Sequence, residues 1–328
     1  MIVTVGIKVL NEEKQIAAAL ESALRAVKPF RGEVILADSV STDRTIEIAR
    51  RFPVRIVQLL NPSERCCGAS AQLAFQHALG TYFYLLDGDM VLDADFLHAG
   101  IAYLEANPEV VAVGGYIVER NLKAHGFQIQ ADVARTDRNR RPGLVDRLEG
   151  GGLYRSSAVQ EAGYFADRNL HAFEEFELAS RLQCRGWKLA RIDHVAAEHF
   201  GHNMGGYRLL WRRIRTGYVG ATGEVVRGAF GQRHLPVVLS RFRHAQYGVV
   251  VICWWALLAC CSWLSPALLC IALAAPIAFL WARRGSLRLG LYSMTSWNVN
   301  ALGLITGLVR RRVPPDKPLA SVTLSSGD

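Results

Sequence analysis

Tyr84-Leu85-Leu86-Asp87-Gly88-Asp89-Met90 is the stretch on which the fold of this chain turns. Residues 82–86 form an unbroken apolar run, the pattern of a strand buried on both faces, and it ends abruptly in two aspartates separated by a glycine. A strand that delivers Asp-Gly-Asp at its C-terminal end holds two carboxylates close together, and glycine lets the backbone bend tightly there. Oxygen ligands of this kind suit a hard divalent cation, Mg²⁺ or Mn²⁺, that keeps coordination sites for phosphate oxygens. A plain turn would use the same residues for conformational reasons alone, so the surrounding sequence has to decide.

Outward from that run, short apolar segments alternate with helical ones. Residues 2–9, 33–37 and 54–59 read as strands, and 12–27, 41–52 and 69–78 as helices. The first helix has Ile16, Leu20 and Leu24 at helical spacing, with Asn11 able to cap it. Strict alternation predicts an α/β domain with helices on both faces of a parallel sheet. Ligands bind such sheets beyond the carboxyl ends of the strands. Three polar clusters fall there: Asn11-Glu12-Glu13, Asp38-Ser39-Val40-Ser41-Thr42-Asp43 and Asp87-Gly88-Asp89.

The 328 residues carry a formal net charge of +9 and a mean hydropathy of +0.14. The apolar excess is concentrated. Residues 245–282 contain no charge, nearly twice the roughly 20 residues of a membrane helix. Ser262, Ser265 and Pro266 supply a turn near the middle, so this segment reads as a hairpin that crosses a membrane twice. Trp254, Trp255, Trp263 and Trp281 are taken as interfacial aromatics toward the ends of its two halves. Arg241 and Arg243 before it, and Arg283 and Arg284 after it, put both ends in the cytoplasm.

Residues 287–309 are apolar but interrupted by Ser293, Thr295, Ser296, Asn298 and Asn300, and read as a re-entrant or interfacial helix in preference to a third crossing. Residues 313–328 read as a short disordered tail. The N-terminus reads as a strand running into Lys8, not as a signal peptide, which puts the body of the protein in the cytosol. Seven cysteines, four of them in the hairpin, fit neither a disulfide framework nor a zinc site. Before the hairpin, Arg208, Arg212, Arg213, Arg215 and Arg227 lie among Leu209, Leu210, Trp211, Ile214 and Tyr218. That is a basic amphipathic segment for a headgroup layer or a phosphate. No nucleic-acid-binding module is visible.

The order of the motifs resembles the nucleotide-binding half of family 2 glycosyltransferases. The resemblance lies in residues 3–10 leading into Asn11-Glu12-Glu13, in Ile35-Leu36-Ala37-Asp38-Ser39-Val40-Ser41-Thr42-Asp43, and in Leu85-Leu86-Asp87-Gly88-Asp89. Farther on, Gly163-Tyr164-Phe165 precedes Glu174-Glu175-Phe176-Glu177, which is similar to the family's acidic catalytic motif. The resemblance covers about the first two thirds of the chain, and four ordered motifs are far more specific than one. There are departures. Lys8 stands where the family usually has Pro, Ala71-Gln72-Leu73-Ala74 where it favours Arg-Asn-x-Gly, and Glu174-Glu175 where it commonly has Glu-Asp.

The resemblance implies a GT-A fold, with a Rossmann-like mixed, mostly parallel sheet over residues 1–204. Basic interfacial helices (205–243), a membrane region (244–312) and the tail (313–328) would follow. It implies that Asp89 binds Mn²⁺ or Mg²⁺, with His199 or His202 completing the site. Asp87 and Gly88 would meet the ribose or the metal shell, and Asp38 the base. Asn11 and Glu13 are nucleotide contacts on this reading, and helix caps on the alternative. Glu175 is the expected general base, with Glu174 in reserve; acidic residues opening a helix also suit its dipole. Gly151, within Gly150-Gly151-Gly152, would let the backbone approach a sugar, and Arg212 and Arg213 would meet an acceptor phosphate.

The expected partners are a nucleotide-sugar donor, a lipid or lipid-linked acceptor and the inner membrane, with no nucleic acid and the oligomeric state left open. The Gln-x-x-Arg-Trp motif of processive synthases is absent, which favours transfer of a single sugar. Processive synthesis, or a silent partner that docks another transferase, are the alternatives.

Overall fold

The computed structural model describes residues 2–120, 137–201 and 206–324. They fall into two units: Met1–Asn203 with Arg312–Asp328, and Met204–Arg311.

The first unit is built on one sheet. Its strands are β1 Val3–Val9, β2 Glu33–Asp38, β3 Arg55–Leu59, β4 Tyr82–Asp87, β5 Met90–Leu92, β6 Val110–Glu119, β7 Gly143–Val145, β8 Gly152–Arg155, β9 Lys188–His199 and β10 Ser321–Leu324. Their order is β10-β3-β2-β1-β4-β8-β6-β9-β5, with β7 paired to β9. β3, β2, β1 and β4 run parallel, as the alternating pattern predicts. Beyond β4 the sheet turns mixed: β8 is antiparallel to both β4 and β6, while β6 and β9 are parallel. The parallel share is therefore confined to the nucleotide-binding half and one later pair.

The helices of this unit are α1 Ile16–Val27, α2 Thr45–Ala49, α3 Cys67–Gln76, α4 Phe96–Ala106, α5 Ser156–Glu161 and α6 Glu174–Gln183. The run 82–86 is apolar throughout because each of its faces meets a separate core. Tyr82, Tyr84 and Leu86 join Val5, Ile7, Ile16, Leu20 and Phe96 on one side. Phe83 and Leu85 join Ile35, Tyr154, Phe165 and Leu178 on the other. Burying each such side chain stabilises the fold by about 1.5–3 kcal/mol.

Two expectations change here. α1 starts at Ile16, not residue 12, and Asn11 does not cap it. Asn11 instead takes a left-handed φ of 60°, because its chain is tied sideways to the 41–45 loop. The tail is the second: residues 313–324 are ordered against the sheet. β10 pairs antiparallel with β3, and Leu319 is buried. Gln76 bonds both the N–H and the C=O of Leu319, Arg168 donates to the carbonyls of Lys317 and Pro318, and Arg312 pairs with buried Asp167 at 2.9 Å. A covered β3 is no longer an open sheet edge.

The second unit contains α7 Gly206–Arg215, α8 Ala221–Ala229, α9 Leu235–Arg241, α10 Arg243–Leu264, α11 Pro266–Arg284 and α12 Leu287–Val309. α10 and α11 are long and apolar enough to cross a membrane and meet at Ser265, whose hydroxyl accepts from the Ala267 N–H. Trp254 and Trp255 lie in the middle of α10, not toward its end. Their indole N–H groups bond Ala272 O on α11 and Asn298 Oδ1 on α12. They serve as ties between helices, an alternative that position along an apolar run does not reveal. α12 is one continuous helix without a re-entrant break. It packs through Gly303 and Gly307, where an added Cβ would lie 2.0 Å from the carbonyl oxygens of Val219 and Gly220.

Candidate active site

The carboxyl end of β4 and the start of α6 form the centre of the site. Lys8 lies opposite Asp87 in the β1–β4 register, and its ammonium is 3.1 Å from Asp87 Oδ1 and 2.8 Å from Glu174 Oε1. Burial works against the lysine's charge, but these two carboxylates outweigh it and hold its pKa well above the ordinary value. Glu174 in turn is held low: burial opposes its ionisation, and Lys8 overcomes burial. Asp87 moves upward, mainly through burial, with Asp89 adding and Lys8 opposing.

Glu175 is placed differently. Its Oε1 accepts from the Gly151 N–H at 2.8 Å and its Oε2 from the Gly150 N–H at 3.2 Å. Burial, followed by the neighbouring Glu174 charge, pushes its pKa up to about 7. The carboxylate is thereby fixed in orientation and poised to exchange a proton near neutrality. The glycines are required. Gly151 has φ +95°, and a Cβ there would lie 2.3 Å from Leu85 O. The close approach expected of Gly151 is thus to β4 and to Glu175. The preceding Phe173 takes a left-handed φ of 66°, which turns the chain into α6. Glu177, the third acid, pairs inside the core with Arg181 at 2.7 Å and is structural.

His199 closes the other side. It is the last residue of β9, paired with Met90 on β5 and Glu119 on β6. Its Nε2 lies 3.2 Å from Asp89 Oδ2 and its Nδ1 2.5 Å from Glu119 Oε2. The bond to Asp89 is the main reason its pKa rises to about 9, and Glu119 adds to it. His202 lies outside the described residues, and His194 is engaged with Asp93 at 3.3 Å. Among the described residues no three His, Cys, Asp or Glu side chains form a ready-made metal cage. Asp89 and His199 nevertheless converge on one spot, a carboxylate and an imidazole that fit a divalent ion bringing further oxygen ligands with it.

The remaining predicted contacts form a second cluster. Asp38 is fully buried at the end of β2. It accepts from the Ser41 N–H at 3.0 Å and from Gln58 Nε2 at 2.7 Å, an Asx-turn arrangement. Asn11 Oδ1 accepts from the Thr42 N–H at 2.7 Å, and Glu13 Oε2 from the Arg44 N–H at 3.2 Å. These side chains join the first two strand-end loops to each other and do not cap α1. Gly88 is tightly seated, since a Cβ there would lie 2.6 Å from Val9 Cγ1. In the second unit, Arg212 is exposed and Arg213 is stacked 4.8 Å over the Tyr218 ring.

Sequence reading missed the part played by Lys8 and Glu119. In sequence, Lys8 stands out only as a departure from the Pro usual in the family. Its signal was the pairing of two strand ends, Lys8 beside Asp87, which becomes visible once the register is known.

A parallel nucleotide-binding half, an Asp-Gly-Asp strand end and a carboxylate held on glycine N–H groups define a GT-A nucleotide-sugar enzyme. Residues 4–163 match the family model described as glycosyl transferase family 2, and the domain is a glycosyltransferase of that family. EpsE of Bacillus subtilis (strain 168), assigned as a glycosyltransferase, is 28% identical over 197 residues, 57% of this chain and 68% of that protein. Among solved structures, mannosyltransferase PcManGT from Pyrobaculum calidifontis, in complex with GDP-Man and Mn²⁺, is similar with a TM-score of 0.63 and 20% identity. That match covers 92% of this chain and 86% of the other. S. aureus TarS 1–349 in complex with UDP-GlcNAc is similar with a TM-score of 0.51 and 14% identity, over 95% and 93% of the two chains.

Proposed function

We propose that this enzyme moves one sugar, with inversion, from a nucleotide-sugar to a lipid-linked or polyprenyl-phosphate acceptor at the cytoplasmic face of the inner membrane, in cell-envelope or exopolysaccharide synthesis. The observation that carries this reading is Glu175, clamped on the Gly150 and Gly151 N–H groups within electrostatic reach of Asp87. With a lipid-linked saccharide, the Glu175 carboxylate takes the proton of the acceptor hydroxyl as that oxygen attacks the anomeric carbon; with a polyprenyl-phosphate, the phosphate oxygen attacks already ionised. The bond from that carbon to the diphosphate breaks, and the nucleoside diphosphate leaves with the electron pair. Attack opposite the leaving group inverts the centre.

Asp89 and His199 are the residues that would hold a divalent ion, with Asp87 beside them. The ion would offset the charge that gathers on the leaving diphosphate. Mn²⁺ in the PcManGT complex supports this assignment. Asp38, Asn11 and Glu13 line the strand ends where the nucleoside is assigned. The hairpin of α10 and α11 supports membrane anchoring. The exposed Tyr207, Trp211 and arginines of α7 suit a headgroup layer carrying the acceptor phosphate.

A thermal-shift screen of the purified protein against UDP-, GDP-, CDP- and dTDP-sugars, with and without Mn²⁺, tests the reading. One donor should raise the melting temperature, and more so with Mn²⁺. No shift with any donor would remove the nucleotide-sugar assignment.

A further inference from the structure

We infer that Lys8 is a resident counter-cation that keeps a divalent ion from settling at the Asp-Gly-Asp site until the nucleotide arrives, making ion and donor binding interdependent. The inference rests on the metal-dependent reading above. Lys8 projects from the centre of the parallel half, and its side chain is only 18% exposed. It lies between Asp87 and Glu174, 3.1 and 2.8 Å away. The carboxylates of Asp87, Glu174 and Glu175 gather around this corner, with Asp89 next to Asp87, and without the lysine they would attract a free divalent ion more strongly. Lys8 occupies an oxygen of Asp87 that such an ion could use, and so sets a positive charge at the residue two before Asp89.

A nucleoside diphosphate reverses this balance. Its phosphate oxygens bring negative charge and further ligands to the ion, and they offer the lysine ammonium a further partner besides Asp87 and Glu174. The nucleotide therefore tightens the ion, and by linkage the ion tightens the nucleotide by the same factor. A unit charge about 6 Å from a divalent ion alters its affinity about tenfold even in a water-like dielectric.

The test is Mn²⁺ binding to the full-length protein at pH 8, read from the electron paramagnetic resonance signal of the free ion. K8M should bind Mn²⁺ alone about tenfold more tightly than wild type. UDP or GDP, whichever the donor screen selects, should tighten Mn²⁺ less in K8M than in wild type. K8R, which keeps the charge, should behave as wild type. K8Q keeps hydrogen bonds to Asp87 and Glu174 without the charge, and it carries the same comparison should K8M not fold. Equal or weaker Mn²⁺ binding in the neutral variants, with nucleotide-dependent binding intact, overturns the role of Lys8 and leaves metal dependence standing. Absence of Mn²⁺ binding in every variant, with or without nucleotide, overturns both.

Discussion

Lys8 Nζ lies 2.8 Å from Glu174 Oε1, whereas the adjacent Glu175 is held by backbone N–H groups alone among its hydrogen bonds given above. The two acids that open α6 are thereby separated in charge state: Glu174 stays ionised below its ordinary range, and Glu175 rises to about 7. Neighbouring carboxylates pushed in opposite directions make distinct chemical assignments possible. Only the second is suited to accept a proton near neutrality.

Glu175→Gln should therefore lower kcat by about 10²–10⁴-fold while donor affinity stays within a few-fold, since the amide keeps the side chain's shape but takes up no proton. Glu174→Gln should act mainly on stability, because it leaves Lys8 with Asp87 as its remaining partner. Steady-state kinetics beside nucleotide titrations separate the two. If Glu174→Gln is the inactive variant and Glu175→Gln is not, the base is misplaced by one residue.

The pH dependence has opposite signs for rate and stability. With Glu175 as the proposed base, transfer uses its ionised form, so kcat/KM should climb as pH rises through about 7 and level off above it. A carboxyl whose pKa is raised on folding binds more protons in the native state than in the unfolded one. Its contribution to stability is complete below about pH 4.3 and fades as pH rises toward 7. Glu175→Gln should abolish that part of the stability slope. A rate profile flat from pH 5.5 to 8.5 would exclude Glu175 as the base.

Asp89→Asn should remove turnover while the protein still folds, because a neutral amide replaces the anionic partner of His199. In this variant Mn²⁺ should no longer enhance the thermal shift given by the nucleotide, and nuclear magnetic resonance should show the His199 pKa falling from about 9. Activity within a few-fold of wild type would take Asp89 out of the ion site.

The parallel half was legible because buried strands leave a local mark. Residues 82–86 are apolar throughout, and helical spacing marks Ile16, Leu20 and Leu24. The carboxylates that close β2 and β4, Asp38 and Asp87, were legible too, since each ends a buried apolar run. Pairing across the chain was not. The Lys8–Glu174 bridge joins residues 166 positions apart, and Glu119 meets His199 only through β6–β9 pairing. The tail was misread for the same reason. Residues 313–328 are short on apolar pattern and hold three Pro and three Ser, and the order of 313–324 comes from β3, Gln76 and Arg168, partners that no local pattern discloses.

That tail is open to test. Leu319→Ala removes a buried side chain with 2% exposure and should cost about 2–3 kcal/mol. Gln76→Ala removes both hydrogen bonds to Leu319 and should lower stability by a further, smaller amount. The two effects should be less than additive, because they act on the same stretch of chain. Unfolding of the full-length protein in detergent, followed by near-ultraviolet circular dichroism, measures both. Wild-type stability in Leu319→Ala would mean that the tail lies off the sheet in solution.

The topology and the acceptor can be tested together. On the proposed topology, with Arg241 and Arg243 before the α10–α11 hairpin and Arg283 and Arg284 after it, both ends would face the cytoplasm and Ser265 would face out. In a background lacking the native cysteines, Ser265→Cys should react with an impermeant maleimide in intact cells. Ser286→Cys should react only once the membrane is opened. The same proposed orientation would put α7 at the cytoplasmic headgroups, where Arg212 and Arg213 would meet an acceptor phosphate. Replacing both by Ala should raise KM for a polyprenyl-phosphate acceptor at least about fivefold and leave KM for the donor within twofold, since two phosphate contacts at an exposed surface are each worth roughly 0.5–1 kcal/mol. An equal rise for donor and acceptor would move these arginines from acceptor binding to a general role in the fold. No rise in either, with wild-type membrane association, would leave the acceptor phosphate to other residues.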